Sequence, residues 1–466
     1  MTAISRDREQ VADRFPPGPR WMPLVVARYL RDACGFYARC VRLYGDPFLM
    51  PTPFGTLVVT GRPEGIETIF AADPDTFDIF AQSSVQPFLG ASSLMLSTGV
   101  SHLRMRRLLM PRFHGREVVQ FSSTMQAIAT EAAAGWPIGQ PFVAQEAMQA
   151  LSFEIILRVF FGAKEHRKAL LRTSLHAVQQ TTSPAITFVS MLRHQFGGFG
   201  PWAKFCRAMK RLDDTVYSLI AEARHTSSED DILGLLLSVR HEDGSELSDL
   251  EIRDQLVSLV AAGHETLASA LAWALYWLHR HPEVLAHLCD ELATVEDDAE
   301  FKQLMTLPYL DAVCNETLRL SPILPEVPRL LRRPFQFLGY SLPAGYGVAS
   351  IASLVHMRED LYPAAGEFQP QRFLQRKYSP FEFVPFGGGT HRCLGATFAF
   401  YEMKVVLAAL LRHCRFSIYA ATAVRPRRQQ SFPFGPHGAF KLVLESRRIP
   451  PSSYDPATSE SRPSQG

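Results

Sequence analysis

The chain has 466 residues, 47% of them hydrophobic and 20% charged, which is enough apolar material for a large core and excludes a disordered protein. Its formal net charge of +2 gives no support to wholesale nucleic-acid binding. Seven cysteines, at 34, 40, 206, 289, 314, 393 and 414, show neither metal-finger spacing nor a disulfide framework, so buried free thiols in a reducing cytoplasm are expected.

Met1 to Arg14 is polar and charged, carries no signal-peptide pattern and is expected to be a flexible terminus. The folded part is expected to begin at Phe15, where Phe15-Pro16-Pro17-Gly18-Pro19-Arg20 makes a stiff, non-helical lead-in. Trp21 to Leu30 is apolar but broken by Pro23 and Arg28, well short of the ~20 apolar residues of a membrane span. No later run is read as one either, and a cytoplasmic protein is expected.

Between Asp46 and Gly61, Phe48-Leu49-Met50 and Thr56-Leu57-Val58-Val59-Thr60 flank a turn near Pro53-Phe54-Gly55, which reads as a hairpin. Beyond Gly61 most of the chain has helical period. One helix stands out. Ser248-Asp249-Leu250-Glu251 is a capping box, with Leu247 and Ile252 spaced as its hydrophobic staple. The pattern runs to Arg280, where His281-Pro282 stops it. A helix of that length is a rod of about 48 Å. From Leu256 to Leu278 it is apolar nearly all round, so it is expected to run buried through the centre.

After Leu320, Pro- and Gly-punctuated extended chain continues to about Gly389, and the Ser- and Pro-rich tail from Pro450 to Gly466 reads as flexible. The expected fold is one domain over 15–447, mainly α with a small β-rich lobe, built around the long central helix.

The chemistry is carried by Phe386-Gly387-Gly388-Gly389-Thr390-His391-Arg392-Cys393-Leu394-Gly395. Glycines around the cysteine permit positive φ and let the backbone approach something flat. Helical pattern runs from Leu394 to His413, which places Cys393 at a helix N-terminus, where backbone N–H groups favour a thiolate. Such a thiolate suits a soft metal or haem iron. The plainer reading is a buried structural cysteine beside a glycine-rich loop.

This stretch resembles the cysteine-ligand loop of the cytochrome P450 family: Phe, Gly, any, Gly, any, Arg or His, any, Cys, any, Gly. The resemblance implies a P450-like fold and heme b, with Cys393 as proximal iron ligand and His391 at a haem propionate. Further segments in the family's order extend the likeness from roughly Phe15 to Arg447. Glu316-Thr317-Leu318-Arg319 resembles the Glu-x-x-Arg signature, and Arg372 the third member of its buried, structural network. Ala262-Gly263-His264-Glu265-Thr266 lies mid-helix, where glycine costs about 1 kcal/mol and a threonine diverts its hydroxyl to a carbonyl one turn back. In the family this is the dioxygen pocket. The resemblance makes Thr266 the hydrogen-bond partner of dioxygen and Glu265 the proton-relaying acid, while His264 is expected in packing. Leu267 stands where many members carry a second hydroxyl residue. His102 and Arg106, four residues apart on one helix, and Arg329 resemble propionate contacts.

The implied reaction is insertion of one oxygen atom from O2 into a hydrophobic substrate, a lipid, terpenoid or polyketide-like molecule, by hydroxylation or epoxidation. Electrons are expected from a separate ferredoxin and its reductase, docking on a basic surface around Arg107, Arg112, Arg376 and Arg392. Phe88, Leu89, Ala261, Ala262, Ile323 to Val327 and Phe432 to Phe434 are the expected substrate lining. The alternatives are a peroxide-using or isomerising haem-thiolate enzyme, which would not need Glu265 and Thr266, and a non-enzymatic haem sensor.

Overall fold

The computed structural model describes residues 15–447 apart from 162–164, 183–185, 187–191, 195, 226–230, 242, 296–300, 420–423, 425, 429–432 and 437–439. The two termini expected to be flexible, 1–14 and 450–466, lie outside the described residues.

Helices dominate, and the longest is the one whose ends were written most clearly in the sequence. It spans Asp249–Arg280. Both arms of the capping box are present: the Glu251 backbone N–H donates to Ser248 Oγ at 3.2 Å, and the Ser248 N–H donates to Glu251 Oε2 at 2.9 Å. Leu247 and Ile252 are buried beside the cap as its staple. At the other end Pro282 opens a new helix, Pro282–Ala293, because a proline ring fits the first turn but not a helix interior.

The central helix is a core element. Leu271, Trp273, Leu275 and Leu278 are at most 1% exposed, each stabilising the fold by about 1.5–3 kcal/mol. Its neighbours are Ala144–Phe161, Pro201–Arg224, Pro308–Leu320 and Ala396–His413. By length and composition it could cross a membrane, contrary to the sequence reading that no run qualifies; however, 72% of its apolar window is buried inside the protein. The expectation of burial nearly all round fails at one place. Ala261 and Ala262 are exposed in the middle of the rod, so accessible space reaches the helix there.

The β-rich lobe is a five-stranded sheet in the order Phe48–Thr52, Gly55–Thr60, Gly347–Ile351, Glu326–Leu331, Phe77–Ile79. The hairpin pairs Thr52 with Gly55 across a two-residue turn, Pro53-Phe54. Gly55–Thr60 runs parallel to Gly347–Ile351; the other pairs are antiparallel. Pro141–Val143, Lys441–Arg447 and Cys414–Ile418 make a smaller sheet. The fold is mainly α with a small β lobe around one central helix.

Candidate haem-thiolate site

Cys393 lies between a short 3-10 turn, Gly389–His391, and the helix Ala396–His413. That helix starts two residues later than the pattern predicts. The loop is closed by the Cys393 N–H donating to the Phe386 carbonyl at 2.9 Å. Its glycines have individual reasons. Gly387 and Gly389 take φ of +63° and +66°, a region that favours glycine. A Cβ on Gly388 would lie 2.1 Å from the Phe70 ring, and one on Gly389 2.6 Å from the Phe70 carbonyl. The flat surface against these glycines is therefore a phenylalanine of the helix Pro63–Ala71.

The Cys393 side chain is accessible, although enough protein surrounds the thiol for burial to act on it. Burial raises its pKa, against the lowering influence of the Gly395 N–H, Arg106 and Arg392. The expected helix-terminus effect exists, but desolvation outweighs it in the protein alone.

Four basic side chains gather beside this loop. His102 and Arg106 lie on the helix Gly99–Leu109, and Arg329 on the strand Glu326–Leu331. His102 is 3% exposed and stacks on His391 with ring centroids 3.9 Å apart. Arg329 shares a recess with Phe70 and residues 388–391. Burial lowers His102 to about 4, with Arg106 and Arg329 acting the same way. It lowers His391 to about 3, assisted by Arg329, His102 and Arg106, and Arg329 to about 10. Both imidazoles are thus neutral at neutral pH. Among the described residues no carboxylate forms an ion pair with Arg106 or Arg329. Half-buried cations without a counter-charge are less costly than fully buried ones but still unfavourable, so this cluster suits an anionic group. An accessible thiol, with uncompensated guanidiniums beside it, fits an iron group that carries acidic arms.

The Glu316–Arg319–Arg372 network holds the loop's framework. Arg319 donates to Glu316 Oε2 at 2.7 Å and Oε1 at 2.8 Å, and to the carbonyls of His356, Ala365 and Glu367. Arg372 donates to Glu316 Oε1 at 3.0 Å and to the Pro363 carbonyl. Sequence reasoning gave His356 no role, yet it links this network to the cysteine loop. Its Nδ1–H donates to the Arg319 carbonyl at 3.2 Å, and its Nε2 accepts from the Val384 N–H at 3.0 Å. Val384 in turn accepts from the Gly387 N–H. Burial and Arg319 hold His356 neutral, near pKa 3, as the accepting Nε2 requires. Its position between a strand end and the meander was the only signal for it in the sequence.

The central helix is continuous through 262–266. A Cβ on Gly263 would meet the tip of the Ile156 side chain, Cδ1, at 2.8 Å, so the neighbouring helix passes close at this point. Thr266 does donate its hydroxyl to the Ala262 carbonyl. It is half-buried, close along the helix to the exposed Ala261 and Ala262, whereas Glu265 is buried. His264 is a packing residue. Its ring lies edge-on to Phe153, Nδ1 accepts from Gln179 Nε2 at 3.2 Å, and burial lowers it to about 4.

Of the expected lining, Ala261, Ala262 and Leu324 are exposed, while Leu89, Ile323 and Phe434 are core residues. Phe432 lies outside the described residues. Of the basic docking surface, Arg107 and Arg392 are exposed. Arg376 is already engaged, donating to Glu382 Oε1 at 2.6 Å and lying over Tyr378. The Arg112 side chain lies outside the described residues.

The model of the family Cytochrome P450 matches residues 16–440. This chain belongs to the cytochrome P450 family. It is 35% identical over 450 residues to cytochrome P450 135B1 of Mycobacterium tuberculosis, covering 94% of this chain and 93% of that one. It is 32% identical to cytochrome P450 138 of the same organism, covering 93% and 97%. Among solved structures, the retinoic acid-bound cyanobacterial CYP120A1 superposes with a TM-score of 0.82 at 26% identity, over 93% of this chain and all of that one. The cytochrome P450DA heme domain shares the fold at the same TM-score, with 23% identity and coverage of 93% and 98%. Membership of this P450 family implies a haem iron cofactor and, in general terms, a haem-thiolate monooxygenase.

Proposed function

We propose that the protein inserts one oxygen atom from O2 into an apolar organic substrate, by hydroxylation or epoxidation, with heme b ligated by Cys393. The observation that carries this reading is the accessible Cys393 thiol beside the uncompensated cluster His102, Arg106, Arg329 and His391. In it, Arg106 and Arg329 neutralise the carboxylates of the haem, and the neutral His102 and His391 donate hydrogen bonds to them. The haem supplies dioxygen activation and oxygen-atom transfer when bound.

The chain's own residues supply position, dryness and protons. The Thr266 hydroxyl has its proton committed to the Ala262 carbonyl. Its lone pairs are therefore free to accept a hydrogen bond from a protonated group in the cleft. Glu265, adjacent and buried, is the acid that returns protons to that point. Ala261 and Ala262 keep the cleft floor low and apolar, which favours a hydrocarbon-rich substrate. The retinoic acid named for the solved relative, an isoprenoid acid, is of that kind. Electrons come from a separate ferredoxin and ferredoxin reductase, with Arg107 and Arg392 on the docking face, and the working location is the cytoplasm.

The test is turnover of the holoprotein with a ferredoxin, its reductase and NADPH, under 18O2, on a panel of fatty acids, isoprenoids and polyketides. The expected product carries a single 18O atom and needs NADPH. Oxidation driven by peroxide alone would replace this reading with the peroxide-using one, and an isomerised product without added oxygen would replace it with the isomerising one. Arg329→Leu tests the anion site separately. A charge-assisted hydrogen bond contributes about 1.5–3 kcal/mol, so haem loss to an apoglobin acceptor should become about 10–100-fold faster. Unchanged haem loss would remove Arg329 from the site.

A further inference from the structure

Positive charge is concentrated at one end of the chain. Between Phe15 and Tyr44 stand five arginines, Arg20, Arg28, Arg31, Arg39 and Arg42, against a single acid, Asp32. That segment therefore carries +4 in a chain of net charge +2, which leaves the remainder at −2. All five arginines are exposed, and among the described residues none of them forms an ion pair. Asp32 is already engaged: it caps the helix Ala33–Tyr44 by accepting from the Gly35 N–H at 2.9 Å.

The same segment turns large apolar side chains outwards. The helix Met22–Arg31 rests on Ala33–Tyr44 and on the strand Phe48–Thr52. Its inner face is held by the buried Val25 and by Tyr29, whose hydroxyl donates to Glu326. Trp21, Leu24, Arg28 and Arg31 follow at intervals of three, four and three, so they share the outer face. Trp21 is 75% exposed and Leu24 43%, with Met22 and Leu30 also exposed at its flanks. On the next helix Arg39, Arg42 and Leu43 are exposed as well. A contiguous apolar patch edged by one sign of charge marks an interaction surface.

We propose that the outer face of the helix Met22–Arg31, assisted by Arg39 and Arg42, docks the protein on an anionic lipid surface. The interleaving of arginines with apolar side chains on one helix face favours lipid over an acidic protein. Trp21 and Leu24 enter the boundary between headgroups and acyl chains, while the long arginine stems reach the phosphates. An indole is suited to that boundary, having an apolar body and one polar N–H. The helix lies on the surface and does not cross it: ten residues reach about 15 Å, half of a hydrocarbon core of about 30 Å. The attachment is peripheral and salt-sensitive, because headgroup attraction fades within a Debye length. It is independent of the haem-thiolate reading, and its test needs no turnover.

The full-length holoprotein is sedimented with vesicles of phosphatidylcholine alone or of phosphatidylcholine and phosphatidylglycerol in equal parts. Wild type should bind the anionic vesicles about tenfold or more tightly than the neutral ones, and raised salt should remove that preference. The double variant Arg28→Ala/Arg31→Ala should bind the anionic vesicles about 30-fold more weakly, at roughly fivefold per arginine. Trp21→Ala/Leu24→Ala should lose about tenfold through the apolar area no longer buried. Lys377→Ala/Arg415→Ala removes two exposed cations elsewhere and should stay within about twofold of wild type. All these positions are at the surface, so each variant should keep the wild-type unfolding temperature. No binding to either vesicle, equal binding to both, or an equal loss in the Lys377→Ala/Arg415→Ala control would overturn the proposal. A loss confined to the arginine pair, with Trp21→Ala/Leu24→Ala binding as wild type, would also overturn it and leave the face to an acidic protein.

Discussion

Arg319→Ala is expected to leave little or no folded protein. The Arg319 side chain is fully buried, as is Glu316, and it supplies hydrogen bonds to both Glu316 oxygens and to three backbone carbonyls. Deleting it strands part of a buried carboxylate charge and three backbone acceptors, two of them buried. Breaking a buried pair costs about 3–5 kcal/mol, and each unsatisfied carbonyl adds about 1 kcal/mol or more. The total, about 6–8 kcal/mol or more, falls within the range of 5–15 kcal/mol or so that holds a typical domain together. The loss should spread to the cysteine loop, since His356 loses the arginine that holds its carbonyl. Soluble yield, haem content and thermal unfolding measure this together. Arg332→Ala is the control: its partner Asp78 and its own side chain are more than a third exposed, so a change below about 1 kcal/mol is expected. An Arg319→Ala protein that unfolds within a few degrees of wild type would show that the network is dispensable.

Thr266→Val should lower turnover by about a hundredfold while leaving folding and substrate affinity nearly unchanged. The substitution keeps the side-chain shape and removes only the hydroxyl. Its bond to the Ala262 carbonyl adds little to a helix already complete in its backbone ladder. What is lost is an acceptor facing the cleft, and a positioned proton-handling group contributes about 10²–10⁴-fold. Product formed per NADPH consumed, beside the substrate dissociation constant, separates these effects. Turnover within twofold of wild type, with binding intact, would remove Thr266 from the chemistry.

The parts of this molecule that were legible in sequence are those whose cause is local. The central helix could be bounded to the residue because its start is a capping box and its end a His-Pro step, both read from neighbours in the chain. The cysteine loop was legible for the same reason. What escaped was long-range. That Gly388 and Gly389 yield to Phe70 depends on a partner that no local pattern names. The stacking of His102 on His391 joins residues from opposite halves of the chain. Arg376 reads as a free surface cation until Glu382 is seen beside it. The thiol illustrates competing magnitudes: the sequence shows the helix terminus that lowers its pKa, but only the fold shows the burial that raises it more.

The absorption spectrum of the purified, reduced protein under carbon monoxide, beside that of Cys393→Ser, bears most directly on the claim that Cys393 holds a haem iron as a thiolate. A strongly red-shifted Soret band in wild type, lost in Cys393→Ser, is the predicted result. A band typical of histidine ligation, or a protein that takes up no haem, would contradict it.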